Sequence, residues 1–219
     1  TRLYFTPLIR SLQQVAGAHP LLTFLDSFRY PLAGEFAMVR DLAWINRVPG
    51  DWGLEVGVLS EIYRNCALRR ICQADIADAY EHKHQGLSAD NAEQGLQKMC
   101  VDITKSLFRN LASEGVVLSE GVLKTLRATY LQSAQEAITR YQNDAAINSL
   151  QFDRHAERMA VEVFLKGMKI ATEAFLEDPL GVPMISNWSR VTGAIPDVFE
   201  RLIGAVERDH DWDPVGDRV

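Results

Sequence analysis

Two of the five histidines in this 219-residue chain, His82 and His84, stand two residues apart in the stretch Glu81-His82-Lys83-His84-Gln85. Imidazole is a common ligand for divalent metals. On extended backbone, residues i and i+2 point the same way, so such a pair can grip one ion. On a helix the two would lie about 200° apart and could not share it. Asp75, Asp78 and Glu81 bring oxygen donors nearby, but alternation along a strand sends Asp75 and Asp78 to opposite faces. Spacing leaves two readings open: ligation of a metal, or two polar histidines in a surface turn.

Gly34-Glu35 is a second candidate, because a carboxylate at a helix N-terminus behind a flexible glycine can approach a ligand hydroxyl. The plainer reading is that Glu35 complements the positive end of the helix dipole. Glu55, inside the apolar Gly53-Leu54-Glu55-Val56-Gly57, must be paired or line a site if it is buried. His19, His155 and His210 are isolated and take structural or solvated readings. Trp188 and Trp212 serve either packing or partner contacts.

These residues need elements to hold them. Before residue 88 the chain is punctuated by Pro7, Pro20, Pro31 and Pro49 and reads as short mixed elements. Pro7 suits the first turn of a helix, where its missing N–H costs little. Phe36, Val39, Arg40 and Ala43 fall at helical spacing after Gly34, and Leu54, Val58, Leu59 and Ile62 do so after Pro49. Residues 71–80 alternate imperfectly with period two, which predicts a strand ending at the histidine pair. Beyond it the periodicity turns helical. Ala92, Leu96, Met99, Ile103, Leu107 and Leu111 mark a helix over 88–111 capped by Ser88. Ser119 and Glu120 open another, with a stripe from Val122 to Tyr141. A third covers 152–176, stopped by Pro179, and a final one covers 195–206, followed by a loose acidic tail. The expected fold is an α/β or α+β fragment, predominantly helical, with domains at 1–88 and 89–219, the second a helical bundle.

Composition narrows the function classes. The net charge of -6 and the lack of any basic run longer than Arg69-Arg70 argue against nucleic acid. No segment reaches the eighteen apolar residues of a membrane helix. Three cysteines without Cys-x-x-Cys spacing indicate neither a disulfide framework nor a zinc knuckle, so a reducing cytoplasm is expected. Gly-x-Gly-x-x-Gly, Gly-x-x-x-x-Gly-Lys-Ser/Thr and Gly-x-Ser-x-Gly are absent, so self-contained nucleotide chemistry is not visible.

Three segments in order, Pro31-Leu32-Ala33-Gly34-Glu35-Phe36-Ala37, Gly53-Leu54-Glu55-Val56-Gly57-Val58-Leu59 and the terminal His82, resemble the C-terminal half of glucosyl-3-phosphoglycerate synthases. The resemblance is clearest over 1–88. It implies a GT-A glycosyltransferase fold and transfer of glucose, with retention, from an NDP-glucose donor to the 2-hydroxyl of 3-phosphoglycerate. It also implies a divalent ion, Mg2+ or Mn2+, on the donor diphosphate.

By this resemblance His82 is the metal histidine, and Glu35 with Gly34 contacts the donor sugar. Thr1 corresponds to the threonine of a Gly-Arg-Val-Thr loop that holds the acceptor phosphate, and His84 takes the place of an acceptor-contacting asparagine. Magnesium's preference for oxygen ligands then separates the histidines, with one ligating and the other free to donate to an anionic acceptor. Ala33 and Tyr80 depart from the family pattern, which has glycine and arginine there. The Asp-x-Asp that supplies the other metal ligands is missing upstream of His82, since Asp211-Trp212-Asp213 lies in the tail. That absence and the start at Thr1 suggest a piece lacking the nucleotide-binding half and inactive alone, with the bundle serving a homodimer. A mannosyl-3-phosphoglycerate or related synthase and a non-catalytic helical interaction module are the alternatives.

Overall fold

A computed structural model describes residues 1–77 and 95–210. Among them are nine α-helices: α1 (Phe5–Ala16), α2 (Pro20–Asp26), α3 (Arg40–Ile45), α4 (Leu54–Asn65), α5 (Gly95–Ser113), α6 (Glu120–Ile147), α7 (Arg154–Glu177), α8 (Trp188–Ala194) and α9 (Val198–His210), with a 3-10 turn at Leu68–Arg70.

The long helices form where periodicity and caps agree. Ser119 Oγ accepts from the Val122 amide at 3.3 Å to start α6, and Leu123, Leu126, Tyr130, Ala134, Ala137 and Ile138 bury its stripe. Asp153 Oδ1 accepts from the amides of His155 and Ala156 to start α7. That helix ends at Glu177, because Asp178 precedes Pro179 and is forced out of the helical region. α5 packs most extensively on α7, and α6 packs on both α7 and α1. Their apolar faces drive this, since isolated helices gain little from propensity alone.

The centre of the core is shared across the chain. Leu3, Tyr4, Phe5, Leu8, Ile9 and Leu12, from α1 and the turn before it, are buried in one cluster with Ile103, Leu107, Phe108, Tyr130, Phe164 and Met168. α2 and Val56 of α4 join the same cluster. Tyr4 lies 5.0 Å from the Phe164 ring. Burial raises the Tyr4 hydroxyl well above its ordinary range and pushes the Cys100 thiol up to about 12, so both stay neutral here.

α3, α8 and α9 bury no residue of their own. They gather around a second aromatic group, in which Trp44 and Trp188 lie 5.7 Å and 5.2 Å from Phe199. Trp188 is thus a packing residue. Trp212 lies outside the described residues.

The predominantly helical character is borne out, while the β part of the expectation finds no counterpart among the described residues. There is no strand among the described residues, and the pairing present is an isolated bridge between Val48 and Ile185. Residues 71–77, the described part of the expected strand, are irregular. Ile76 is 65% exposed, and the run is tied to Arg29 through Gln73 and Asp75 side chains rather than a ladder. A strand without a partner leaves its amides unpaired, so alternation alone is not enough.

The helix expected after Gly34 begins only at Arg40. Phe36 and Val39, spaced for that helix, are 51% and 58% exposed, and a helix with no apolar face to bury does not extend. The final helix, expected from 195, begins only at Val198 as α9, because Pro196 keeps Ile195 out of the helical region, and α8 before it was not expected. α2 was not expected, although Pro20 at its first position and His19 at its cap were readable, His19 Nδ1 accepting from the Leu21 amide.

Candidate functional site

The two motifs that carry the resemblance behave differently in three dimensions. Gly53-Leu54-Glu55-Val56-Gly57-Val58-Leu59 forms the start of α4 and is largely inserted into the fold, with Gly53, Val56, Gly57 and Val58 buried. Its glycines are explained by packing. A Cβ on Gly57 would lie 2.4 Å from two carbons of the Pro49 ring, and one on Gly53 would lie 2.7 Å from Ser106 Cβ of α5. Neither gap admits a methyl group without moving α4.

Gly34 and Glu35, in the irregular connection between α2 and α3, are instead exposed. A Cβ on Gly34 would meet nothing within 4 Å, so no described neighbour demands glycine there.

Glu55, uncertain from sequence, is half-buried on the wall of a cleft of about 440 Å3 lined by Asp51, Trp52, Leu54, Lys98 and Asp102. Desolvation raises its carboxyl above the usual range, partly offset by a backbone hydrogen bond. Across the cleft Asp102 is almost fully buried. Lys105 Nζ lies 2.9 Å from its Oδ1, and Lys98 Nζ lies 3.3 Å from Oδ2 without hydrogen-bonding it. Sequence reasoning missed this carboxylate, although Lys98, Asp102 and Lys105 stand at the four- and three-residue spacings that pair on a helix.

Also missed was the network that fixes α4. Glu61, 4% exposed, accepts from Arg47 Nε at 3.2 Å and Nη2 at 3.0 Å and from Arg64 Nη1 at 3.3 Å. Arg64 reaches on to Glu114 beyond the end of α5, at 3.0 Å. No sequence spacing announces a pair fourteen residues apart.

Burial alone would raise the Glu61 carboxyl, but the hydrogen bonds and charge of Arg47, with Arg64, hold it below the usual range. A folded-state pKa below the unfolded value stabilises the protein above the unfolded carboxylate pKa, and that stability is lost as pH falls through the folded value. Glu61→Gln is therefore expected to lower stability near pH 7 by about 1–2 kcal/mol, since Arg47 keeps solvent on one side. The gap between variant and parent is expected to narrow as pH falls below the unfolded carboxylate value of about 4.3. Urea melts at pH 7 and pH 3.5 check this; an undiminished gap at the lower pH would contradict it.

Thr1 precedes α1 and is exposed. Its carbonyl accepts from the amides of Tyr4 at 3.3 Å and Thr6 at 3.2 Å. The three residues after it are tied to the long helices. Arg2 Nη2 lies 2.5 Å from Glu157 Oε1 of α7, with its guanidinium 4.9 Å from the Tyr141 ring centroid of α6. Tyr130 Oη of α6 donates to the Leu3 carbonyl at 2.8 Å. Tyr4 Oη donates to the Cys100 carbonyl of α5 at 2.8 Å and sits 2.7 Å from Thr104 Oγ1.

His82 and His84 lie outside the described residues. Among the described residues no group of three or more histidine, cysteine or acidic side chains is arranged to hold a metal ion. No described helix is long and apolar enough to cross a membrane. Cys66, Cys72 and Cys100 are all free thiols. His19 caps α2 and His155 is exposed, the roles their isolation predicted.

No protein-family model and no solved structure matches the chain. Two curated proteins do. Glucosyl-3-phosphoglycerate synthase of Persephonella marina is 51% identical over 213 residues, which is 97% of this chain and 53% of that protein. Glucosyl-3-phosphoglycerate synthase of Methanococcoides burtonii is 42% identical over 205 residues, 93% of this chain and 50% of that protein. The similarity thus runs well past residue 88 and takes in the helices of the bundle, where the motifs alone showed none. The chain spans about half the length of these curated relatives, and over nearly all of its own length it is a homologue of the glucosyl-3-phosphoglycerate synthases.

Proposed function

We propose that this chain is the acceptor-side part of a retaining glycosyltransferase of GT-A type, which moves glucose from an NDP-glucose donor to the 2-hydroxyl of 3-phosphoglycerate. The observation that carries this reading is 51% identity, over 97% of the chain, to a protein named for the product of that reaction. In this reading Glu35, beside Gly34 and exposed, binds the donor sugar. Thr1 and His84 hold the acceptor. His82 ligates Mg2+ or Mn2+; imidazole can join an otherwise oxygen-rich shell whose other ligands come from outside the described residues. The ion would neutralise charge on the departing diphosphate. The enzyme is read as a cytoplasmic homodimer.

The test is transfer of labelled glucose from NDP-glucose to 3-phosphoglycerate by the complete protein that carries this segment. Turnover dependent on a divalent ion is expected, and its absence across a panel of nucleotide sugars would overturn the reading. Turnover with NDP-mannose alone would move the assignment to a mannosyl transfer. Glu35→Gln is expected to reduce kcat/KM by about 10- to 100-fold with little change in Tm, since one hydrogen bond to a charged group is removed at an exposed site. Unchanged kinetics would remove Glu35 from the site, and unaltered metal dependence in His82→Ala would remove the metal role. The 219-residue chain alone is expected to show no transfer, and a measurable kcat for it would contradict its being only the acceptor side.

A further inference from the structure

The run from Arg2 to Tyr4 has an unusual anchorage. Three consecutive residues are each fixed by a polar contact to a different long helix, Arg2 to α7, Leu3 to α6 and Tyr4 to α5. None of these contacts is needed simply to bury the segment. Leu3 and Tyr4 already sit in the apolar core, where a phenylalanine in place of Tyr130 would fill the same space. A backbone carbonyl held by a buried hydroxyl has a defined position and direction, because leaving either partner unpaired there is costly. The anchors therefore set where Thr1, itself exposed, stands.

We propose that α6 and α7 position the acceptor-binding loop of the proposed transferase, through Tyr130 on the Leu3 carbonyl and Glu157 on Arg2. This inference rests on the reading of Thr1 as an acceptor contact. Tyr130 and Glu157 are positioning residues: they touch the loop backbone and Arg2, and the loop touches the acceptor phosphate. A bundle more than a hundred residues downstream of Thr1 then does more than stabilise the chain, since it sets affinity for one of the two substrates.

The experiment uses Tyr130→Phe in the complete protein, with KM measured separately for 3-phosphoglycerate and NDP-glucose and with hydrogen exchange followed over residues 1–6. The acceptor KM is expected to rise about 5- to 20-fold, the effect of one hydrogen bond lost at a positioning contact, while the donor KM stays within about twofold. The amides of Tyr4 and Thr6, which donate to the Thr1 carbonyl, are expected to exchange faster. Glu157→Gln, which keeps size but removes the charge paired with Arg2, is expected to act in the same direction and less strongly.

A parallel rise in both KM values, or no change in either, would overturn the proposal by leaving Tyr130 only structural. Unaltered exchange over residues 1–6 would overturn it by showing that the hydroxyl does not hold the loop. Failure of the proposed reaction is seen separately, in the parent protein, as no transfer to 3-phosphoglycerate. That result would overturn the acceptor role whatever the exchange data show.

Discussion

Gly167→Leu is expected to lower the unfolding free energy by about 3 kcal/mol or more. On propensity alone the sign would be opposite, since glycine in a helix interior costs about 1 kcal/mol relative to alanine. The packing of α7 on α5 decides the matter. A Cβ at Gly167 would lie 2.9 Å from Cys100 Sγ, 3.1 Å from Cys100 Cβ and 3.3 Å from the Gln97 carbonyl oxygen. Two of these atoms cannot turn aside: the carbonyl belongs to the α5 backbone, and Cβ is fixed to it. Leucine must force the helices apart along the most extensive contact in the fold. For a chain of this size the change corresponds to a fall in Tm of roughly 6–12 °C, readable by thermal circular dichroism. Gly193→Ala, in α8 with nothing within 4 Å of the new methyl, is the control and is expected to be neutral or slightly stabilising. A Tm for Gly167→Leu equal to that of the parent would show that α5 and α7 can separate without cost.

Tyr4→Ala is expected to cost about 4 kcal/mol, against about 1–2 kcal/mol for Tyr4→Phe. The side chain is 1% exposed, packs against the Phe164 ring and bonds to the Cys100 carbonyl and Thr104. Alanine leaves a cavity between α1, α5 and α7 and removes both hydrogen bonds, whereas phenylalanine removes only the hydrogen bonds. The important outcome is the shape of the transition. Tyr4 comes from the first few residues, yet the helices it supports lie beyond residue 95, so fluorescence and circular dichroism should report one cooperative melt shifted as a whole. A variant in which α5 to α7 kept the parent's Tm would mean that the core is not shared.

The candidate site was legible in unequal parts. Glu35 and Gly34 stand out because a carboxylate after glycine is chemically suggestive, and both are exposed. The glycines of the second motif are explained by contact with Pro49 and Ser106. Glu55 could not be assigned because its meaning depends on burial, which has no local signal. Asp102 was readable as part of a helical charge triplet, though its near-total burial was not. Glu61 was invisible: its partner Arg47 comes from a loop, and only folding brings the two to 3.0 Å.

By itself the sequence determined what is local and periodic: the stripes of α5, α6 and α7, the Ser119 cap, the stop before Pro179 and the kinship visible in three short motifs. Side-chain period and capping chemistry act within a few residues, so they survive in a linear reading. Tertiary structure decided whether a pattern had a partner. Among the described residues, 71–77 alternate yet find no strand to pair with, and Phe36 and Val39 are spaced for a helix yet stay exposed. It also decided that Leu3 and Tyr4 belong to the same core as Tyr130 and Phe164, because burial rewards contact in space irrespective of separation along the chain.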